Sequence, residues 1–221
     1  MLTLDPHIHS IYSGDARGTP KEIIKTALQK KLNAIAISDH NTLIGSKIGQ
    51  SYNKKYPITI LPSIEITSKH GHIVGLGVQD HIPPQQTATE TIEQIHEQDA
   101  IAILAHPYVR YRNGVLTHHP HHNLKFDAIE TRNSRFIIGI ANHHTKRLAK
   151  KNHYPQIGSS DAHFLEAIGS CYTQINNIES DADCDTIIQA IQKGKTQALG
   201  HRTPIKCLIR EVINKKIKKI Y

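Results

Sequence analysis

Short apolar runs alternate with longer amphipathic stretches along most of the chain. The short runs are rich in Ile, Val, Ala and Thr and stop at polar residues, a pattern typical of buried strands. They predict strands at Thr3–His7, Ala34–Ser38, Thr59–Ser63, His72–Val78, Ile101–Ala105, Ala128–Thr131, Gln156–Ser159 and Ser170–Ile175, with a further short strand at Ala198–Gly200. Alternation of strands and helices predicts a parallel sheet with right-handed crossovers.

The stretches between these runs carry helix signals. Thr19 before Pro20 predicts an N-cap followed by proline in the first turn. Cations crowd the end of the stretch from Ser134 to Lys151, and Gly194 directly follows the stretch from Asp183 to Lys193. The remaining helices are predicted at 87–98 and, as a basic C-terminal helix, at about 204–220.

Polar residues recur where the predicted strands end. In closed parallel barrels the active site lies at that rim. The fold class is therefore α/β, and a closed or nearly closed barrel is favoured. An open doubly wound sheet is the alternative, although it concentrates its chemistry at one switch point. Residues 1–221 contain no linker or internal repeat, so one domain is expected.

Two segments place pairs of metal-ligand types on one strand face. His7 and His9 are two residues apart at the end of the first strand, and Asp161 and His163 repeat that spacing after another. Alternate strand residues point to the same side, so each pair is able to reach one ion. Asp15 follows the first pair in a loop, from which its carboxylate is able to return to the rim or to cap a turn.

Four further segments contribute one candidate each. His40 is preferred over its neighbour Asp39, whose expected role is to orient a ring or shape the loop. His72 abuts an apolar strand, whereas His70 is expected in a turn. The full candidate set mixes imidazole and carboxylate donors, which suits two or three divalent ions such as zinc, manganese or iron. The set is His7, His9, Asp15, His40, Glu65, His72, His106, Asp161 and His163.

Composition and charge narrow the remaining classes of protein and of binding partner. Hydrophobic residues make up 38% of the chain and its apolar runs are too short for a membrane span. The first residues do not resemble a signal peptide, so a cytoplasmic location is expected. The three cysteines form no CxxC pair and are expected to be reduced. The formal charge of +8 favours anionic partners, although solvated helix faces explain much of it. The tract from His118 to His122 is expected to be a surface loop.

The ordered motifs resemble the polymerase and histidinol phosphatase (PHP) family of metal-dependent phosphoesterases. The resemblance runs from about residue 3 to 164 and rests on His-x-His-Ser, Ser-Asp-His-Asn, Gly-His-Ile-Val-Gly-Leu-Gly, Leu-Ala-His-Pro and Ser-Asp-Ala-His, together with Asp15 and Glu65. It implies a distorted seven-stranded (β/α) barrel and a trinuclear site. Family members hydrolyse phosphate esters that include histidinol phosphate and nucleotides.

The resemblance also implies how the ions are shared. One ion would be held by His7, His9, Glu65 and Asp161; a second by Glu65, His72 and His106; and a third by Asp15, His40 and His163. Some nucleotide-cleaving members carry a helical insertion after the Gly-Leu-Gly strand. Here residues 79–86 lead almost directly into the next helix, which suggests a more open site and argues against nucleotide specificity.

The expected function is hydrolysis of phosphomonoesters by a metal-bridging hydroxide. Glu65, Asp161 and His163 are expected to carry catalysis, and which rim aspartate or histidine protonates the leaving group stays open. Substrate phosphate is expected to meet arginine, with candidates at Arg110, Arg112 and Arg17. The substrate would be a phosphorylated small molecule or a nucleotide. Alternatives are an RNA-binding or RNA-processing subunit on a PHP-like barrel, or a metal-dependent amide or lactone hydrolase.

Overall fold

Strands form two five-stranded sheets in the computed structural model, which describes residues 1–117, 119–136, 139–203 and 207. The first sheet has the order β10-β9-β1-β2-β3 and the second the order β4-β5-β6-β7-β8. Their bounds are β1 Leu2–Ile8, β2 Ala34–Ile37, β3 Thr59–Leu61, β4 Ser63–Ser68, β5 Gly71–Leu76, β6 Ile101–Leu104, β7 Ala128–Asn133, β8 Gln156–Ser159, β9 Cys171–Ile175 and β10 Thr196–Gly200.

Both sheets are mixed, which corrects the prediction of a parallel sheet. Strands β1, β2 and β3 pair in parallel, as do β6, β7 and β8. Strand β9 is antiparallel to β1 and β10, and β5 is antiparallel to β4 and β6. Only Lys69 and His70 separate β4 from β5, and so short a connection joins antiparallel strands only.

The two sheets approach each other at two isolated parallel bridges. Ile8 at the end of β1 pairs with Ala162 beyond β8, and His40 beyond β2 pairs with Glu65 in β4. The predicted closed or nearly closed barrel therefore stays a prediction: among the described residues the strands form two sheets that meet at single bridges. Pro62 has no N–H for a ladder, and the predicted strand Thr59–Ser63 is interrupted there, so that β3 ends and β4 begins.

Five α-helices cover the sheets in the described part of the chain. They are α1 Pro20–Gln29, α2 Ile44–Gln50, α3 Ala88–His96, α4 Ile140–Asn152 and α5 Cys184–Gln192. Complete capping boxes open α1 and α3, where Thr19 pairs with Glu22 and Thr87 with Glu90. Helix α4 begins later than the predicted Ser134, because β7 runs to Asn133 and a turn follows it. The predicted helix at 204–220 lies outside the described residues, apart from Cys207.

Side-chain alternation in β2 shows how the core is divided. Ala34 and Ala36 belong to a central cluster that contains residues of both sheets and of α5. Ile35 and Ile37 point to the other face and pack with Ile23 and Ile24 of α1. Helix α3 covers the second sheet in the same way. Each isoleucine buried like these contributes about 1.5–3 kcal/mol. No helix in the described ranges is long and apolar enough to cross a membrane.

Candidate metal centre

The strand ends bring all nine predicted ligand residues to one place. A cavity of about 160 Å³ opens there between the two sheets. Strands β1, β4 and β5 supply ligands from within their length, while the segments after β1, β2, β6 and β8 supply the others. His7, His9, Glu65, His106, Asp161 and His163 are buried, whereas Asp15, His40 and His72 are partly exposed toward the mouth.

Glu65 is the centre of the cluster. Its Oε1 lies 3.0 Å from His72 Nδ1 and 3.2 Å from His106 Nε2, and its Oε2 lies 2.8 Å from His40 Nδ1. The Nε2 atoms of His7 and His9 stand slightly further away, at 3.5 and 3.4 Å from this carboxylate. A carboxylate with five imidazoles around it has the position that the bridging role requires.

Three groups of donor atoms are close enough to share an ion. In each group one nitrogen or oxygen atom per residue lies within 4.8 Å of the others. The groups are His9, Asp15, His40 and His163; His7, His9 and Glu65; and His40, Glu65 and His72. Histidine nitrogens and carboxylate oxygens are ligands that zinc, manganese and iron accept. The residues present therefore fit the ions that the sequence implies.

Asp161 is surrounded by cations and amide donors. Arg135 Nη1 lies 2.9 Å from Asp161 Oδ1, Asn133 Nδ2 donates to Oδ2 at 2.9 Å, and Arg112 also contacts Oδ2. Arg135 additionally approaches the ring nitrogens of His163 at 3.1 and 3.2 Å. The sequence analysis missed Arg135, because it placed this residue inside a helix that begins at Ser134.

Glu130 lies beneath the ligand layer and was also missed. Its Oε1 accepts from His7 Nδ1 at 2.8 Å and from Ser159 Oγ at 2.6 Å. Its Oε2 accepts from the backbone N–H of His106 at 2.7 Å and from Asn133 Nδ2 at 3.0 Å. One carboxylate thus fixes a histidine ring and the turn that carries another. Its sequence signal was a lone acid inside an apolar strand.

Asp39 shapes the loop after β1, which is one of the two roles expected for it. Its carboxylate accepts from the backbone N–H and the hydroxyl of Ser10, both at 2.6 Å. Gly45 is required opposite, because a Cβ there would stand 2.0 Å from Asp39 Oδ2. Helix α2 is therefore able to pack directly on the contact between Asp39 and Ser10, and Ser10 immediately follows His9.

Neighbouring charges set the protonation of the cluster. Burial alone would lower the pKa of His7, but Glu65 and Glu130 raise it to about 9. Burial would raise the pKa of Glu130, yet His7 above all lowers it to about 2. Burial and Arg112 lower the pKa of His106 to about 3. Despite burial, His72, His40 and His7 hold the pKa of Glu65 well below its usual value. Glu65 and Glu130 are therefore charged at neutral pH.

Two of the candidate ligands occupy unusual backbone conformations. His106 has φ of +31° and Asp161 has φ of +51°. Residues other than glycine rarely adopt this region, and such conformations cost about 1–3 kcal/mol each. Both residues stand two positions after the last residue of a strand, so the turn of the backbone lies just beyond the ladder and directs the side chain into the cluster.

The other predicted residues divide between the cavity and the surface. Arg112 lines the cavity, whereas Arg17 and Arg110 are exposed and lie outside its lining. His70 lies in the turn before β5, as expected. The described members of the histidine tract stay outside the cavity lining, and His119 stacks near His70 with ring centroids 4.8 Å apart. His118 lies outside the described residues.

Parts of the chain are similar in sequence to known proteins. A family model described as PHP-associated matches residues 139–196. The uncharacterized protein MJ1587 of Methanocaldococcus jannaschii is 35% identical over 117 residues, which are 48% of this chain and 68% of that protein. Protein MJ0417 of the same organism is 29% identical over 196 residues, 82% of this chain and 75% of that protein. A 5'-3' exoribonuclease of Haemophilus influenzae is 29% identical over 103 residues, but these are 45% of this chain and only 37% of the enzyme.

Solved structures with the same fold are more distant in sequence. A two-domain protein of Bacteroides vulgatus that contains a predicted PHP-like metal-dependent phosphoesterase superposes with a TM-score of 0.76 at 19% identity, over 90% of this chain and 65% of that one. Endonuclease Q, solved with a 27-mer duplex that has an abasic lesion at the active site, gives 0.70 at 16% identity, over 91% and 60%. Together with the sequence relatives, these likenesses assign the chain to the PHP family.

Proposed function

We propose that the protein is a metal-dependent phosphoesterase that hydrolyses phosphomonoesters. The observation that carries the proposal is the juxtaposition of the donor cluster with Arg112 and Arg135 in one cavity. Divalent cations need the imidazole and carboxylate donors, and a phosphoryl group needs the guanidinium donors.

The ions would be held by the nine residues predicted from the sequence. His7, His9, Glu65 and Asp161 would hold one, Glu65, His72 and His106 a second, and Asp15, His40 and His163 the third. Two of the close donor groups support this division, since one contains His7, His9 and Glu65 and another contains Asp15, His40 and His163. In the third group His40, rather than His106, lies beside Glu65 and His72. When bound, such ions lower the pKa of a water ligand to near neutral and offset the charge of the phosphoryl oxygens.

The side chains of the chain itself orient the substrate. Arg112 and Arg135 balance the charge of Asp161 in the structure and would exchange part of that contact for phosphoryl oxygens. His163 Nε2 lies 3.1 Å from Asp15 Oδ2 at the partly exposed side of the cluster. Solvent reaches Asp15, so this pair forms the open edge of the third group of proposed ligands.

The two sheets support a barrel as the scaffold of this site. The bridges from Ile8 to Ala162 and from His40 to Glu65 join β1 to the end of β8 and β2 to β4. We infer that the sheets form two halves of one distorted barrel, with residues 1–221 acting as a single catalytic unit in the cytoplasm. Arg110 and Arg17 would then act outside the cavity, on parts of the substrate other than the phosphoryl group.

Nucleic-acid processing is the second candidate. It is favoured by the named activities of two relatives, the exoribonuclease and endonuclease Q, and by the net charge of +8. A purely RNA-binding subunit has no need of a complete donor cluster. An amide or lactone hydrolase has no need of two arginines beside Asp161, so both remaining alternatives rank below hydrolysis of a phosphate ester.

Phosphate release tests the proposal. Metal-stripped protein is incubated with histidinol phosphate, sugar phosphates, nucleotides and short oligonucleotides, with and without added Mn²⁺, Zn²⁺ or Fe²⁺. Metal-dependent release of phosphate or of nucleotides is the expected result. An absence of release with every metal, from protein shown to bind the ions, would overturn the phosphoesterase assignment.

A further inference from the structure

A second cavity of about 430 Å³ adjoins the metal centre and belongs to no part of the site described so far. It is an open groove between the segment after β6 and the first turns of α4. The residues that define this side groove are Tyr108, Arg110, Tyr111, Phe136, Ile140 and His144. Its volume lies in the range typical of small-molecule sites.

The side groove adjoins the metal centre at Tyr111, which lines both cavities. A single 3-10 turn, Arg110–Arg112, links them. Successive residues of such a turn point about 120° apart. Arg112 consequently reaches Asp161 while its neighbours face the groove. A ligand whose phosphoryl group lies beside Arg112 would extend naturally over Tyr111.

The walls of the side groove are aromatic and apolar, and its charged groups are cationic. Tyr108 and His144 meet edge to face, with ring centroids 6.3 Å apart. No acidic side chain occurs in the described lining, whereas Arg110 stands exposed at its edge. Flat aromatic surfaces beside a cation are the elements with which proteins hold unstacked nucleobases.

The exposure of the groove residues also calls for an occupant. Tyr111 is 64% exposed and Ile140 is 59% exposed, although large apolar side chains rarely remain so accessible beside one another. A substrate with an apolar ring would cover this pair of side chains, whereas a compact sugar phosphate would leave it exposed.

We propose that the side groove binds the base of a nucleotide or of a single-stranded nucleic-acid end while the phosphoryl group occupies the metal centre. This inference rests on the proposed phosphoesterase function and selects its substrate class. Tyr111 would stack on the base, Ile140 would support its edge, and Arg110 would face the next phosphate of a longer chain.

The test compares adenosine 5'-monophosphate with ribose 5-phosphate, which carries the same phosphoryl group and sugar without a base. With the metal-loaded protein, we expect the KM for the nucleotide to be about ten-fold lower or more, as base stacking on one aromatic ring implies. Tyr111→Ala and Ile140→Glu should bring the two KM values together. Tyr111→Phe, which keeps the ring, should preserve the difference.

Tyr12→Ala is the matched control. Tyr12 is 40% exposed, follows β1 and does not line the side groove, so this variant should preserve the ratio of the two KM values. A ratio near one in the unmodified protein would overturn the groove and leave the phosphoesterase function intact. An equal loss of the ratio in Tyr12→Ala would also overturn it, because the effect would then belong to the whole rim.

A binding measurement separates this inference from the proposed function. If neither ester is hydrolysed, the phosphoesterase proposal fails, and the groove is tested by saturation-transfer NMR with adenosine 5'-monophosphate and the metal-loaded protein. Transfer concentrated on the base protons and lost in Tyr111→Ala would still support the groove. Equal transfer to base and ribose, unchanged in that variant, would overturn it.

Discussion

Glu130 and Asp5 are carboxylates buried in the same protein, yet their surroundings act on them in opposite ways. Both side chains are withdrawn from solvent, with 1% and 0% exposure. Glu130, beneath the ligand layer, has a pKa lowered to about 2, chiefly because His7 faces it. Asp5, on the opposite side of β1, accepts from the N–H groups of Ser160 and Gly169, each at 2.9 Å, and burial raises its pKa to about 6.

The comparison shows that the partner of a buried charge decides its state. Backbone N–H dipoles reduce the cost of burying Asp5 but do not remove it, whereas a cationic imidazole reverses the effect of burial at Glu130. The charge of Glu130 is therefore stabilised chiefly by an imidazole, whereas that of Asp5 is stabilised chiefly by hydrogen bonds.

Removal of Glu65 or Asp161 is expected to have the largest effect. Glu65→Ala and Asp161→Ala should each lower phosphate release by about a thousand-fold or more, because they remove charge that holds the ions. Circular dichroism should show the fold retained. Near-normal metal-dependent release in either variant would contradict the assignment of the site.

Loss of the Glu130 contact tests whether the supporting layer acts through the ligands. Glu130→Gln should weaken metal affinity about 10–100-fold, because the neutral amide keeps only one of the two acceptor oxygens that hold the ring of His7 and the backbone N–H of His106. Competition with a chelator measures this affinity independently of turnover. The matched change Glu179→Gln alters an exposed residue and should leave the affinity unchanged.

The raised pKa of Asp5 predicts a pH-dependent stability. Between about pH 4 and 6 the unfolded chain releases this proton while the folded chain retains it, so rising pH destabilises the fold by up to about 3 kcal/mol through this group. Asp5→Asn should remove that component. From pH 4 to pH 7, the free energy of unfolding of the parent should fall relative to that of the variant. Urea titrations of the metal-free proteins measure this difference.

Glu130 should produce the opposite slope. Its folded pKa lies below that of the unfolded chain, so its stabilisation is present above about pH 4.5 and is lost as the pH falls toward 2. Variants at the two positions should therefore change the pH dependence of the free energy of unfolding in opposite directions. A change in the same direction for both would contradict the comparison.

Cys171 extends the comparison to a thiol and gives the smallest effect. Burial raises its pKa to about 12, and Arg132 only partly opposes this. The thiolate is therefore almost absent at pH 8, and Cys171 should resist iodoacetamide in the folded protein while reacting in urea. Mass spectrometry of the alkylated peptides provides the readout. Rapid modification of Cys171 under native conditions would refute this view of its surroundings.

The candidate metal ligands were easier to predict from the sequence than the residues that hold their side chains in place. His7, His106 and Asp161 stand at the ends of apolar runs, where the change from apolar to polar residues is local and visible. Glu130 lies within a strand, between Ile129 and Thr131, and only the pairing of β7 with β8 brings it under His7. Which residue fills such a position depends on contacts far apart in the chain.

The architecture was partly predictable for the same reason. The cap at Thr19 is a local signal that the structure confirms, and Thr87 and Asp183 cap α3 and α5 in the same way. Strand direction depends on connections: the turn at Lys69 and His70 makes β4 and β5 a hairpin, and β9 returns against β1. Neither arrangement follows from the alternation of strands and helices alone.

The left-handed backbone conformations of His106 and Asp161 affect which substitutions evolution would accept at these positions. In a lineage that no longer needed the site, substitution of either position by glycine would relieve the backbone and be free to spread by drift. Retention of non-glycine residues at both positions would therefore be a more sensitive record of continued selection for chemistry than retention of His72, whose backbone fits an ordinary strand.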